Sequence, residues 1–177
     1  PAETRAMAAL RINVLAAGYS GARPDVAQAL VATLNANVLP RIPRQGSVGA
    51  SGDLAPLAHL ALGLIGEGMV LANGEWRAAG EALQKAGLRP VTLQAKEGLA
   101  LINGTQAIGA VGGLALARGL RALDAATLAG AMTLEALKGS PTPFEARIHL
   151  ARRHPGQIKV AAQLAQALED SAIRESH

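Results

Sequence analysis

From Gly98 to Ala117 the chain carries no charged residue, and between Thr105 and Lys138 charges fall only at Arg118, Arg121, Asp124, Glu135 and Lys138. An apolar run of about 20 residues is long enough to cross a bilayer. This one also holds Asn103, Thr105 and Gln106, together with Gly98, Gly104, Gly109, Gly112 and Gly113. Asn103-Gly104 is a break signal. Splitting there predicts a short helix ending near Ile102 and a long helix from about Thr105 to Lys138. A helix that is apolar almost all round must be buried on most sides, in a large core or against other subunits. The expectation is a soluble, oligomeric protein with no membrane span.

The remaining sequence also reads as helices. Residues 3–18 place Met7, Leu10, Val14 and Leu15 close to the spacing of an amphipathic face, and Gly18-Tyr19-Ser20-Gly21 ends that helix. Pro24-Asp25 opens a second helix through about Val38, with Val26, Leu30, Leu34 and Val38 four apart. Pro40 and Pro43 then force an extended loop. A helix from Asp53 to about Gly66 carries Leu57, Leu60, Ala61, Leu64 and Ile65. Met69–Ala78 is expected to be a hairpin, because Asn73-Gly74 is a strong type I′ turn signal. A short helix follows at Glu81–Ala86, capped by Gly87. After the loop Gly139-Ser140-Pro141-Thr142-Pro143, two last helices are predicted near Glu145–Ala151 and Ile158–Ala172. The fold class is therefore all-α with one hairpin at 69–78. No internal repeat and no domain-splitting linker is visible in the 177 residues.

Composition excludes several functions. There is no cysteine, so neither a disulfide framework nor thiol catalysis is available, and the compartment stays open. A net charge of +4 suggests nucleic acid, but the basic residues are scattered and one Trp, one Tyr and one Phe cannot build stacking platforms. Nucleic acid is not an expected partner. His59, His149, His154 and His177 are too dispersed for a metal-binding motif. His59 reads as a packed or supporting histidine ahead of an acid or base, and Tyr19 as a turn residue ahead of a catalytic base. Gly109-x-x-Gly112-Gly113 lacks the strand and the Gly-Lys-Ser/Thr of a nucleotide loop, and reads as close helix packing.

The chemistry concentrates at Ala50-Ser51-Gly52. If the amide nitrogen of Gly52 attacks the carbonyl of Ala50, water is lost and a five-membered imidazolone closes. Loss of the Ser51 hydroxyl as a second water leaves an exocyclic methylidene. The product is an electrophile, a class that the standard acids, bases and nucleophiles do not supply. Gly46, Gly49 and Gly52 give the backbone freedom to fold tightly, and only glycine at 52 leaves its nitrogen unhindered. Asp53 stands where a helix N-cap is expected, before Leu54-Ala55-Pro56. An ordinary Gly/Ser-rich turn before a helix is the other reading of the bare tripeptide.

The longer string shifts the balance between them. Gly46-Ser47-Val48-Gly49-Ala50-Ser51-Gly52-Asp53-Leu54-Ala55-Pro56-Leu57-Ala58-His59 resembles the prosthetic-group signature of the aromatic amino acid ammonia-lyases, most closely their histidine-directed branch. Lys96-Glu97-Gly98-Leu99-Ala100-Leu101-Ile102-Asn103-Gly104-Thr105-Gln106 resembles a second family segment. Ser140-Pro141-Thr142-Pro143-Phe144-Glu145-Ala146-Arg147-Ile148-His149 resembles a third. The similarity runs from about Arg5 to the C-terminus.

This resemblance implies an all-α superhelical bundle, a cytoplasmic homotetramer, and a methylidene-imidazolone (MIO) made autocatalytically from Ala50, Ser51 and Gly52, with no diffusible cofactor. It implies that the substrate is an amino acid, that its amine meets the electrophilic carbon derived from Ser51, and that a base removes the β-proton. Histidine would yield ammonia and urocanate. Asn103 matches the family asparagine beside the MIO, where a neutral amide would hydrogen-bond substrate or the MIO carbonyl. Asp53 matches a family aspartate that assists cyclisation; capping is its other reading. The family's tyrosine base, substrate-binding histidine and carboxylate-holding arginine segment have no counterpart here. Residues 1–177 are thus expected to be one piece, the central part of such an enzyme, inactive alone. Phenylalanine or tyrosine ammonia-lyase, an aminomutase, and a helical oligomerisation module without chemistry are the rival readings.

Overall fold

The structure is a computed structural model that describes residues 1–175. It divides into two compact units, residues 1–115 and 116–177. The division falls inside a long helix, not at a linker.

The first unit begins with α1 (Ala2–Ala16) and α2 (Pro24–Asn35), which pack against each other. Gly18 ends the first helical segment with φ +82°, a left-handed position that glycine adopts without a Cβ penalty. The face that α1 buries is Met7, Ala8, Arg11 and Leu15. Leu10 and Val14, expected on that face, are 38% and 40% exposed. The stripe is rotated because it includes an arginine. Pro24 occupies the first turn of α2, where its missing N–H costs nothing. The helix stops three residues before Val38, because Asn37 turns left-handed at φ 55°. Val38 is buried, but beneath the hairpin instead of on the α2 face.

Strand β1 (Leu39–Pro40) follows, where an extended loop was expected. It pairs antiparallel with β2 (Met69–Ala72), which pairs with β3 (Glu75–Ala78) through Leu71–Trp76 and Val70–Arg77. The order β1-β2-β3 leaves Pro40 on an edge strand, where a residue without an N–H is tolerated. The hairpin stands where it was predicted, with Asn73 and Gly74 both at positive φ, as a type I′ turn requires.

Between β1 and β2 lies α3 (Ala55–Leu64); α4 (Ala79–Lys85) follows the hairpin and begins two residues before its expected start. Val38, Val70, Ala72, Ala79, Ala82 and Leu83 form a small core under the sheet. The main core joins Met7, Leu15, Val26, Leu30, Leu57, Leu60, Leu64, α5 (Glu97–Ile102) through Leu101, and α6 (Gln106–Ala136) through Ala110. The break at Asn103-Gly104 is present, so the apolar run is two helices.

The second unit holds the remainder of α6, a 3-10 turn at Thr142–Phe144, α7 (Ala146–Arg152), α8 (Pro155–Ala167) and α9 (Ala172–Glu175). The last expected helix is thus interrupted. Asp170 takes φ 58° and the Ser171 hydroxyl donates to the Glu135 carboxylate, which holds the chain off the helical path. His149 is buried, with Nε2 2.8 Å from the Pro143 carbonyl and Nδ1 3.0 Å from the Gln157 amide nitrogen. A carbonyl only accepts, so Nε2 carries the hydrogen and Gln157 donates to Nδ1. The Ser140–His149 motif is therefore stitched together by its own histidine.

Candidate active site

The Ala50-Ser51-Gly52 loop hangs between two fixed points. At its start Arg41 N–H donates to the Met69 carbonyl at 2.8 Å, and the Arg41 guanidinium lies 5.8 Å from the centre of the Trp76 ring. At its end is α3, buried through Pro56, Leu57, Leu60, Ala61, Gly63 and Leu64. Gly63 and Pro40 bring these anchors together: a Cβ on Gly63 would come 2.5 Å from Pro40 Cγ.

Within the loop, Asp53 acts as a hub. Its Oδ2 accepts from the Ser47 hydroxyl and, at 2.8 Å, from the Val48 N–H. Ser47 Oγ in turn accepts from Gly49 N–H at 3.2 Å. These bonds, the Ser47 one foremost, hold the Asp53 carboxyl below the usual carboxylate range, with a further contribution from the Ala55 N–H. Asp53 is not the N-cap of α3. That position falls to Leu54, with no side-chain cap, and the aspartate carboxylate bonds chiefly back into the loop.

Ala50 to Asp53 form a turn closed by Asp53 N–H donating to the Ala50 carbonyl oxygen at 3.1 Å. Gly46 and Gly49 use positive φ, +105° and +66°; Gly52 does not. The glycine at 52 is therefore not demanded by a left-handed backbone. Ser51 is exposed, and nothing lies within 4 Å of where a Cβ on Gly46, Gly49 or Gly52 would sit. The turn fits imidazolone closure in its donor set. The carbonyl that closure would attack accepts a hydrogen bond, and the nitrogen that would attack it lies two residues on in the same turn.

Asn103 sits at the other landmark, the corner between α5 and α6. It is the C-cap of α5, exposed, with its own N–H donating to Leu99 at 3.1 Å. Two buried charges fix this region. Glu97, the first residue of α5, accepts from the Arg23 backbone N–H at 3.0 Å, Arg23 Nε at 2.7 Å, Arg23 Nη2 at 2.9 Å and the Gln94 N–H at 2.7 Å. The Arg23 hydrogen bond, then that of Gln94, lowers its carboxyl to about 2. Arg11 of α1, 2% exposed, donates to Ala100 O at 3.0 Å, Asn103 O at 2.6 Å and Gln106 Oε1. Burial lowers its pKa. The other candidates sit apart from this arrangement: Tyr19 is 96% exposed in the turn after α1, and His59 is half-buried on the second turn of α3.

A family model described as aromatic amino acid lyase matches residues 1–177. The chain belongs to the aromatic amino acid lyase family. It is 56% identical over 175 residues to histidine ammonia-lyase from Myxococcus xanthus, covering 99% of this chain and 34% of that protein. The solved structure of Trypanosoma cruzi histidine ammonia-lyase superposes with a TM-score of 0.86 at 47% identity, covering 92% of this chain and 32% of that one. Phenylalanine aminomutase from Pantoea agglomerans superposes with a TM-score of 0.90 at 36% identity, covering 97% and 33%. The chain spans about a third of the length of these aromatic amino acid lyase relatives. Lyase and aminomutase share this part of the fold, so chemistry must be argued from the site.

Proposed function

We propose that the chain is the electrophile-bearing central part of a histidine ammonia-lyase, eliminating ammonia from L-histidine to give urocanate. The observation that carries this reading is the Ala50–Asp53 turn, whose polarised carbonyl and unhindered Gly52 nitrogen suit formation of MIO. The high identity to relatives named histidine ammonia-lyase supports histidine as the substrate.

Ala50, Ser51 and Gly52 would become the MIO. When formed, that group supplies an electrophilic carbon that withdraws electrons from the substrate amine. Asp53 holds the loop through Ser47 and Val48 and keeps its own N–H on the Ala50 carbonyl. The Asn103 side chain offers a neutral amide as hydrogen-bond donor for charge developing in the transition state.

An oligomer is part of the same proposal. From Val111 to Gly130 almost every residue of α6 is exposed, including Leu116, Leu120, Leu123 and Leu128 at more than half their surface. The stretch Glu97–Ala136, α5 and α6 together, is long and apolar enough to cross a membrane by length and composition. The Asn103-Gly104 break interrupts that stretch, however, and Arg118, Arg121 and Asp124 follow its uncharged part directly. Further copies of the chain, assembled as a homotetramer, suit this surface better. The setting we propose is cytoplasmic.

The test is intact-mass measurement on the full-length protein that contains this chain. A deficit of two waters localised to Ala50–Gly52 is expected, while an unmodified mass would return the loop to a purely structural role. Ultraviolet assay of the unsaturated acid should then show L-histidine consumed in preference to L-phenylalanine and L-tyrosine. Formation of a β-amino acid instead would favour the aminomutase reading, which the Pantoea structure keeps in view.

A further inference from the structure

Arg11 is a buried cation whose three acceptors, Ala100 O, Asn103 O and Gln106 Oε1, are all neutral. They mark three successive points of one corner: the last turn of α5, its C-cap, and the first residue of α6. One planar guanidinium spans them because its donors diverge in a fixed fork. The fit is close enough to dictate a neighbour. Gly104 adopts φ +158°, and a Cβ there would run into Arg11 Nη2 and Gln106 Oε1. Glycine after Asn103 thus suits the backbone, and a side chain there would also displace the Arg11–Gln106 contact.

The arrangement also leaves Arg11 Nε buried without a partner among the described residues, which costs stability. An ion pair between carboxylate and arginine already anchors the start of α5, through Glu97 and Arg23. What Arg11 adds is control of the opposite end of α5, where Asn103 is presented.

We propose that Arg11 is a positioning residue for Asn103, locking the α5–α6 corner so that the asparagine amide meets the reacting group. This rests on the reading of Asn103 given above. Arg11 touches the Asn103 carbonyl, so it acts through that residue's backbone and leaves the side-chain amide free to face substrate.

The experiment uses the full-length protein and a double-mutant cycle of Arg11→Lys with Asn103→Ala. Lysine keeps the charge but not the three-way fork. Arg11→Lys should retain the two-water mass deficit, and its kcat should fall by about tenfold or more with KM changed by less than about threefold, as expected when a reacting contact is misplaced. In the Asn103→Ala background the same substitution should cost no further kcat. Gln106→Leu, which removes one acceptor and keeps the arginine, should show a smaller kcat loss that likewise disappears in Asn103→Ala, and it carries the test if Arg11→Lys does not fold. An unchanged kcat, or a loss of equal size in both backgrounds, would overturn the positioning role. A wild-type protein with neither mass deficit nor lyase activity would instead overturn the proposed function on which it rests.

Discussion

The Asp53 N–H donates to the Ala50 carbonyl oxygen at 3.1 Å, across the two residues that ring closure would join into one cycle with Ala50. The same aspartate fastens the preceding strand of loop through Ser47 and Val48. One residue thus holds the Ala50 carbonyl through its backbone and the curvature of the preceding loop through its side chain.

Asp53→Ala keeps the backbone N–H on the Ala50 carbonyl but removes the acceptor that Ser47 and Val48 share, so by loosening the loop it should slow ring closure on the order of tenfold in the full-length protein. Asp53→Asn should do less, because an amide oxygen still accepts from Val48. The measurement is the fraction of chains carrying the two-water deficit as a function of time after synthesis. Equal rates for wild type and Asp53→Ala would separate Asp53 from the chemistry.

Gly63→Ala tests the anchor. Alanine is the better helix former by about 1 kcal/mol, yet its Cβ would come 2.5 Å from Pro40 Cγ and 2.9 Å from Pro40 Cβ. Overpacking of this kind costs about 1–3 kcal/mol and outweighs the propensity gain. The variant should be less stable in urea denaturation; a higher midpoint would show that β1 can move away from α3.

Most of this architecture was legible in the sequence, for identifiable reasons. The Asn73-Gly74 turn, the Asn103-Gly104 break and the start of α2 at Pro24 are local signals, and each holds in the structure. The tripeptide is legible from its glycine spacing and the motif around it, Asn103 from its motif, and the structure places them on a turn and a helix corner. The roles of Arg11 and Glu97 depend on distant partners and leave little local trace: Arg11 on residues 89 and more positions away, Glu97 on Arg23, 74 positions away. A signal for Arg11 existed in its spacing four from Met7 and four from Leu15, on the face that proves to be buried. Strand β1 carried no such signal, since two residues have no readable period.

Glu97 gives the chain a pH signature. Its carboxyl is lowered from 4.5 to about 2 by the hydrogen bonds of Arg23 and Gln94. The unfolded chain therefore binds the proton more readily, and stability rises with pH across this window. The contribution is fully present above about 4.5 and is lost as pH falls from there toward 2. Glu97→Gln should be less stable near neutrality, with a flatter dependence of the urea midpoint on pH through that window. Parallel pH profiles for the two proteins would remove Glu97 from the acid limb.

The exposed face of α6 yields the last expectation. Leu116, Leu120 and Leu123 are 65%, 55% and 54% exposed and recur at a spacing that places them on one side of the helix. Burying such a side chain contributes about 1.5–3 kcal/mol, and replacing it with a charge in an interface costs more. In the full-length protein, Leu120→Lys should shift the assembly toward smaller species, and Leu116→Glu with Leu123→Glu should shift it further. Light scattering over a range of concentrations reads the outcome directly. Loss of assembly should also lower activity if the site draws groups from more than one copy, so the two curves should fall together with dilution. An unchanged molar mass in both variants would mean that this face of α6 is covered by something other than a second copy of the chain.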